Sequence, residues 1–138
     1  GIFHGTVAQV VPMLHAVNAQ HGLQRIGPPA IAGLGIAFLE LSALPTAEQQ
    51  RVLIDSIARH CHESQTRAEE MAIVGRWLVT ECKGPQTAIP RLTKRLYQLD
   101  KAGFQPLLAV LNDVGQAGGG LSPRQRDALD EISRGMKL

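Results

Sequence analysis

The 138 residues fit one domain of ordinary size, long enough to bury a core without metal or disulfide staples. A hydrophobic fraction of 44 % excludes a disordered chain, and an aromatic fraction of 4 % leaves the core to Leu, Ile, Val and Ala. The net charge of +2 is too small to argue for nucleic acid by itself, and two cysteines, Cys61 and Cys82, make no secreted-type disulfide framework.

No apolar run reaches the ~18–20 residues of a membrane span. The most apolar stretch, Ala30 to Leu44, is broken by Gly33, Gly35, Glu40 and Ser42. Reduced thiols in a cytoplasmic setting are the expectation. The sequence opens on Gly1 rather than Met, as expected of a piece of a longer protein or of a glycine left by cloning.

In chain order, residues 1 to 5 are expected to be loose. Thr6 then caps a first helix over Val7 to His21, with Val7, Val10, Val11, Leu14 and Val17 on its apolar face and Pro12 in its second turn. Gly22 closes it. Pro28 and Pro29 open a second helix that runs to about Ala43. It is apolar on most sides and should be central. Its Gly33 and Gly35 let a neighbouring backbone approach.

Thr46 caps a third helix, with Glu48 where a negative charge suits the dipole. Val52, Leu53, Ile57 and Cys61 line its inner face. The fourth helix, Thr66 to Cys82, holds the only tryptophan. Thr66 and Glu69 have capping-box spacing, and the expected apolar face includes Met71, Val74, Trp77 and Leu78. Arg76 is assigned to the polar side, and Trp77 is the expected core anchor around which the other helices pack.

After Gly84-Pro85 a fifth helix covers Ala88 to Leu99, with Ile89, Leu92, Leu96 and Leu99 inward and Arg91, Lys94 and Arg95 outward. Pro90 is expected in its first turn. A sixth helix runs from Pro106 to Gln116. Gly118-Gly119-Gly120 forms a loop, and Ser122-Pro123 starts a seventh helix as cap plus proline. No period-two alternation long enough for a strand occurs. The expected fold is all-α, a single bundle of about seven helices.

Two loop-plus-helix units look alike. Thr66 aligns with Ser122, Glu69 with Gln125, Ala72 with Ala128 and Ile73 with Leu129 at a constant offset, which suggests two related halves. A polar loop, a Ser/Thr cap, Glu or Gln three residues later and an apolar helix together resemble the TerB-like domain, a family named for tellurite resistance. The resemblance covers about residues 29 to 138, through CHESQTRAEE and QAGGGLSPRQRDAL. It implies about seven helices in two halves, and a role in stress-linked or membrane-associated complexes without catalysis. The family's loops carry Asp-Gly, and acidic residues near them are associated with metal. Here the loops read His62-Glu63-Ser64 and Gly118-Gly119-Gly120, so metal is not carried over.

His60-Cys61-His62 is the one cluster of soft ligands. Adjacent helical residues point ~100° apart and do not converge on one ion. An inward Cys61 between two surface histidines is expected, and His62 reaches Cys82 only if the fold brings them together. No HExxH, GxSxG or P-loop occurs. The Gly118–Gly120 loop, preceding a helix N-terminus, is a candidate anion cradle, weighed against a plain connector. Arg91, Lys94, Arg95 and Lys101 form the best basic patch, a candidate anion or nucleic-acid contact weighed against a solvated helix face. No catalytic, cofactor or metal residue is assigned. The expected function is a non-enzymatic interaction or scaffold module with a protein or homo-oligomeric partner. A nucleic-acid-associated regulatory protein and an accessory domain of a larger enzyme are the alternatives.

Overall fold

The computed structural model describes residues 27–136. Among them lie six α-helices, one 3-10 turn and no strand, packed as a helical bundle. The helices are α1 Gly27–Glu40, α2 Ala47–His60, α3 Gln65–Glu81, α4 Pro85–Leu99, α5 Phe104–Ala117 and α6 Pro123–Gly135, with Lys101–Gly103 as the 3-10 turn. The count among these residues is six rather than seven. The expected helix over Val7 to His21 and the expected loose residues 1 to 5 lie outside them.

Hydrophobic burial selects α1 as the axis. Its sequence GPPAIAGLGIAFLE is apolar all round, and every residue from Gly27 to Leu39 is buried. A helix without a polar face finds its place only inside other helices, and α1 touches each of the other five. The core is therefore organised around Phe38, Ile31 and Leu34 rather than around Trp77. Trp77 is half-buried on α3, and its indole Nε1 has no acceptor among the described residues. On α3 the buried residues are Ala68, Met71, Ala72, Val74, Gly75 and Val79. Small residues carry this face because the α3 backbone runs against α1, leaving no room for a large ring.

Local chemistry sets the ends. Thr46 caps α2 in a full capping box with Gln49, and Ser122 caps α6 in the same way with Gln125. Gln125 also crosses the fold, donating from Nε2 to the carbonyl of Phe38 at 3.1 Å. α3 is capped by Ser64, not Thr66: the Ser64 hydroxyl accepts the Arg67 amide at 3.1 Å. Ser64 wins because the chain leaves α2 in a tight left-handed turn at His62, which brings it into extended geometry two residues earlier. The caps Ser64 and Ser122 are 58 positions apart (122 − 64 = 58). The aligned offset of 56 (122 − 66 = 56) therefore does not superpose the two helix starts.

Other details differ from the sequence reading. α1 stops at Glu40, where Ser42 N–H turns back to the Leu39 carbonyl, three residues short of Ala43. α4 begins at Pro85, which puts Pro90 inside the helix rather than in its first turn. Leu99, read as inward, is 56 % exposed because the helix has by then run past the core.

Candidate functional site

Where α1, α2 and α3 diverge, they leave an apolar groove of about 440 Å³. Ile36 and Leu39 from α1, Leu53 and Ile54 from α2, and Ile73 from α3 line it. The α1–α2 loop supplies Leu44, which at 86 % exposure is an uncovered aliphatic side chain on the groove's edge. Pro45 follows it and biases Leu44 to extended geometry, and the Pro45 carbonyl accepts from Gln50 Nε2 of α2 at 3.4 Å.

The groove also contains two charges. Arg76 of α3 meets Glu40 of α1 in a forked pair, with Nη1 on Oε2 and Nη2 donating to Oε1 at 3.1 Å. The glutamate side chain is 14 % exposed and the arginine 34 %. Arg76, read as a polar-side residue, is thus drawn toward the core by the one carboxylate at the end of the apolar helix. The sequence held a signal for this: Glu40 is a lone charge in an apolar run. Because the pair is bidentate, the groove offers no uncompensated charge.

A second polar cluster joins α2 to α5. Ser56 Oγ donates to Asp113 Oδ2 at 2.6 Å, and His60 Nε2 lies 3.1 Å from the same oxygen. Arg59 Nη1 stands 4.0 Å away. The Ser56 hydrogen bond, then the His60 ring and Arg59, hold the Asp113 carboxyl below the usual carboxylate range against the opposing effect of burial. Ser, His and Asp are the residue types of a hydrolytic triad, but the order of contacts is wrong. In a triad the histidine sits between serine and carboxylate and takes the serine proton. Here the carboxylate sits in the middle, so Ser56 faces a carboxylate of lowered basicity rather than a histidine base. Ser56 is also 1 % exposed, out of reach of substrate. The cluster is an interhelical clasp that composition alone does not reveal, because Asp113 looks like a surface residue of an apolar helix.

Arg91, Lys94 and Arg95 all lie on the exposed side of α4, as the sequence indicates, and Lys101 follows in the 3-10 turn with Nζ 4.6 Å from the Tyr97 ring centre. His60 and His62 do not act together: His60 turns to Asp113, and His62 occupies the left-handed position after α2 with φ 57°. No group of three metal-ligating side chains converges among the described residues. Cys61 and Cys82 are buried without a disulfide. The Gly118–Gly120 amides are turned inward, bonding the carbonyls of Gly115 and Gln116. That loop is a helix stop rather than an anion cradle. No described helix is long and apolar enough to cross a membrane. No family model, no curated protein and no solved structure matches this chain.

Proposed function

We propose that the chain is a non-enzymatic, TerB-like interaction module of the cytoplasm that takes an apolar helical segment of a partner protein into the α1–α2–α3 groove. The observation that carries the reading is the groove itself: aliphatic walls, an uncovered Leu44 on its edge and a self-neutralised Glu40–Arg76 pair. An occupant that inserted a charge would find no free counter-charge, so the inserted side chains are apolar. An occupant in strand form would need a sheet edge, and none exists among the described residues. Side-chain anchors from an amphipathic helix remain, at the spacing of helix-in-groove recognition. The volume suits two or three such anchors rather than the broad interface of a stable dimer. The all-helical bundle and the serine-capped helices that follow the His62–Ser64 and Gly118–Gly120 loops are what the TerB-like part of the reading rests on.

The test uses synthetic amphipathic peptides with Leu or Ile at helical spacing, titrated into the isotopically labelled chain. Amide shifts should cluster at Ile36, Leu44, Ile54 and Ile73, and Leu44→Asp should weaken binding at least about tenfold without unfolding. Shifts mapping elsewhere, or no binding below about 1 mM, would overturn the reading. Self-association abolished by Leu44→Asp would also overturn it, in favour of a second copy.

A further inference from the structure

The α4 surface differs from the rest of the molecule in how its cations are arranged. On α2 and α3 arginines have carboxylate partners: Arg51 has Glu48 and Asp55, Arg76 has Glu40, and Arg67 has Glu70, while the exposed Arg124 and Arg126 of α6 share their helix with Asp127, Asp130 and Glu131. Arg91, Lys94 and Arg95 form no ion pair among the described residues. α4 carries no acidic residue at all, PQTAIPRLTKRLYQL. Asp100, at its end, has its carboxylate turned to the start of α1: a methyl at Gly27 would stand 2.3 Å from Oδ2. Positions 91, 94, 95 and 98 fall within an arc of about 100° at 3.6 residues per turn. Of these, position 98 is Gln98, and Lys101 lies past the helix end, after Asp100 leaves helical geometry. The result is a stripe of three exposed cations on a rigid helix, with Lys101 just beyond its end.

We infer that this row is a docking face for the phosphate backbone of duplex nucleic acid, contacted without reading of sequence. Arg91 and Arg95 stand one turn apart, about 6 Å along the helix. Two phosphate steps along one strand advance about 7 Å. Arginine's planar fork suits bidentate contact with such oxygens. Three alternatives fit the face less well. A membrane-surface helix inserts its apolar side into lipid, but the apolar side of α4 (Ala88, Ile89, Leu92, Leu96) is buried in the core. Single-stranded nucleic acid is held by bases stacked on open aromatic faces. Tyr97 is the aromatic residue of α4, and its ring is covered by Lys101 Nζ and tilted against Phe104. An acidic peptide would meet the charge but has no fixed spacing for a rigid row to match.

The test is fluorescence anisotropy of short mixed-sequence DNA duplexes with the full chain, between about 25 and 150 mM salt. Four phosphate contacts predict a log–log salt slope of about −3 to −4. Two duplexes of unrelated sequence should bind alike. The triple variant R91Q/K94Q/R95Q should lose at least about tenfold in affinity at low salt and bring the slope to about −1. These side chains are exposed, so circular dichroism should be unchanged. R124Q/R126Q, on exposed α6 positions, should bind like the parent. Binding equally reduced by both variants would overturn the inference, as would duplex binding insensitive to the α4 triple. Preference for phosphatidylserine vesicles or polyglutamate over the duplex would overturn it too. The groove reading does not depend on the result, since Leu44→Asp should leave duplex binding unaltered.

Discussion

Gly33 and Gly75 are where α1 and α3 touch backbone to backbone. A methyl built on Gly75 would stand 2.5 Å from the Gly33 nitrogen and 2.8 Å from the Ala32 carbonyl carbon. A methyl on Gly33 would meet mainly Leu92 Cδ1 at 2.9 Å, with the Gly75 carbonyl oxygen at 3.3 Å. The contact is therefore unequal. Backbone blocks one side, and the flexible end of a leucine blocks the other. This approach lets the apolar α1 sit inside the bundle against α3.

Gly75→Ala should accordingly destabilise the fold by ~1–3 kcal/mol, the cost of overpacking where the neighbour cannot yield. That loss exceeds the ~0.5–1 kcal/mol that alanine gains over glycine in a helix. Gly33→Ala should cost less than Gly75→Ala, because Leu92 can rotate away. Urea midpoints of the two single variants check the order. Equal losses would show that the contact is not backbone-limited on the α3 side.

Phe38, fully buried on α1, should behave as the core anchor. Phe38→Ala is expected to cost ~3–5 kcal/mol, the usual range for a buried aromatic. Trp77→Ala should cost clearly less, since the ring is half-buried. Matched equilibrium unfolding of the two variants decides it. A larger loss at Trp77 would return that residue to the centre of the fold.

The helices were legible where their signals are local. Thr46, Ser122-Pro123 and Gly84-Pro85 each mark an end through chemistry confined to a few residues, and the structure uses all of them. The apolar run on α1 announced a central helix. What was not legible depends on partners far away in sequence. The Glu40–Arg76 pair spans 36 positions and the Ser56–Asp113 contact spans 57. Trp77 misled for a related reason. Its size suggested core, but the face of α3 that meets α1 is chosen by close backbone approach, which favours Gly75 and Ala72. Ser64 displaced Thr66 because the left-handed His62 sets where the helix starts, and a positive φ, though commoner for histidine than for most side chains, is still an exception that the sequence does not mark. The row on α4 was visible in sequence as separate cations. The absence of facing carboxylates needed the fold.

Lys83 ends α3 in the left-handed region with φ 68°, while Gly84 N–H bonds back to the Val79 carbonyl. The conformation costs a side-chain-bearing residue ~1–2 kcal/mol and glycine almost nothing. Lys83→Gly should therefore stabilise the domain by ~0.5–1 kcal/mol after the greater unfolded-state freedom of glycine is deducted. Lys83→Ala, which keeps the Cβ, should bring no such gain. A thermal melt of the pair separates backbone strain from loss of charge.

Asp113 gives the fold a dependence on pH whose sign is fixed by its surroundings. Ser56, His60 and Arg59, all from α2, face its carboxylate and lower its pKa in the folded state. In the unfolded chain the group titrates near the ordinary ~3.9. The clasp's contribution is thus fully present above that value and is lost as pH falls through the depressed folded value. Asp113→Asn keeps the shape but removes the charge that Ser56 and His60 address. It should destabilise the domain by ~1–3 kcal/mol at neutral pH, the scale of hydrogen bonds to a charged group. The gap to the parent should narrow as pH is lowered past the ordinary carboxylate range and through the depressed folded value, where the parent's own carboxyl becomes protonated. Ser56→Ala should remove part of the same effect, and the double variant should lose less than the sum of the singles, because both act on one oxygen. A gap that stays constant across this range, with additive losses, would mean that the charge of Asp113 does not hold α2 to α5.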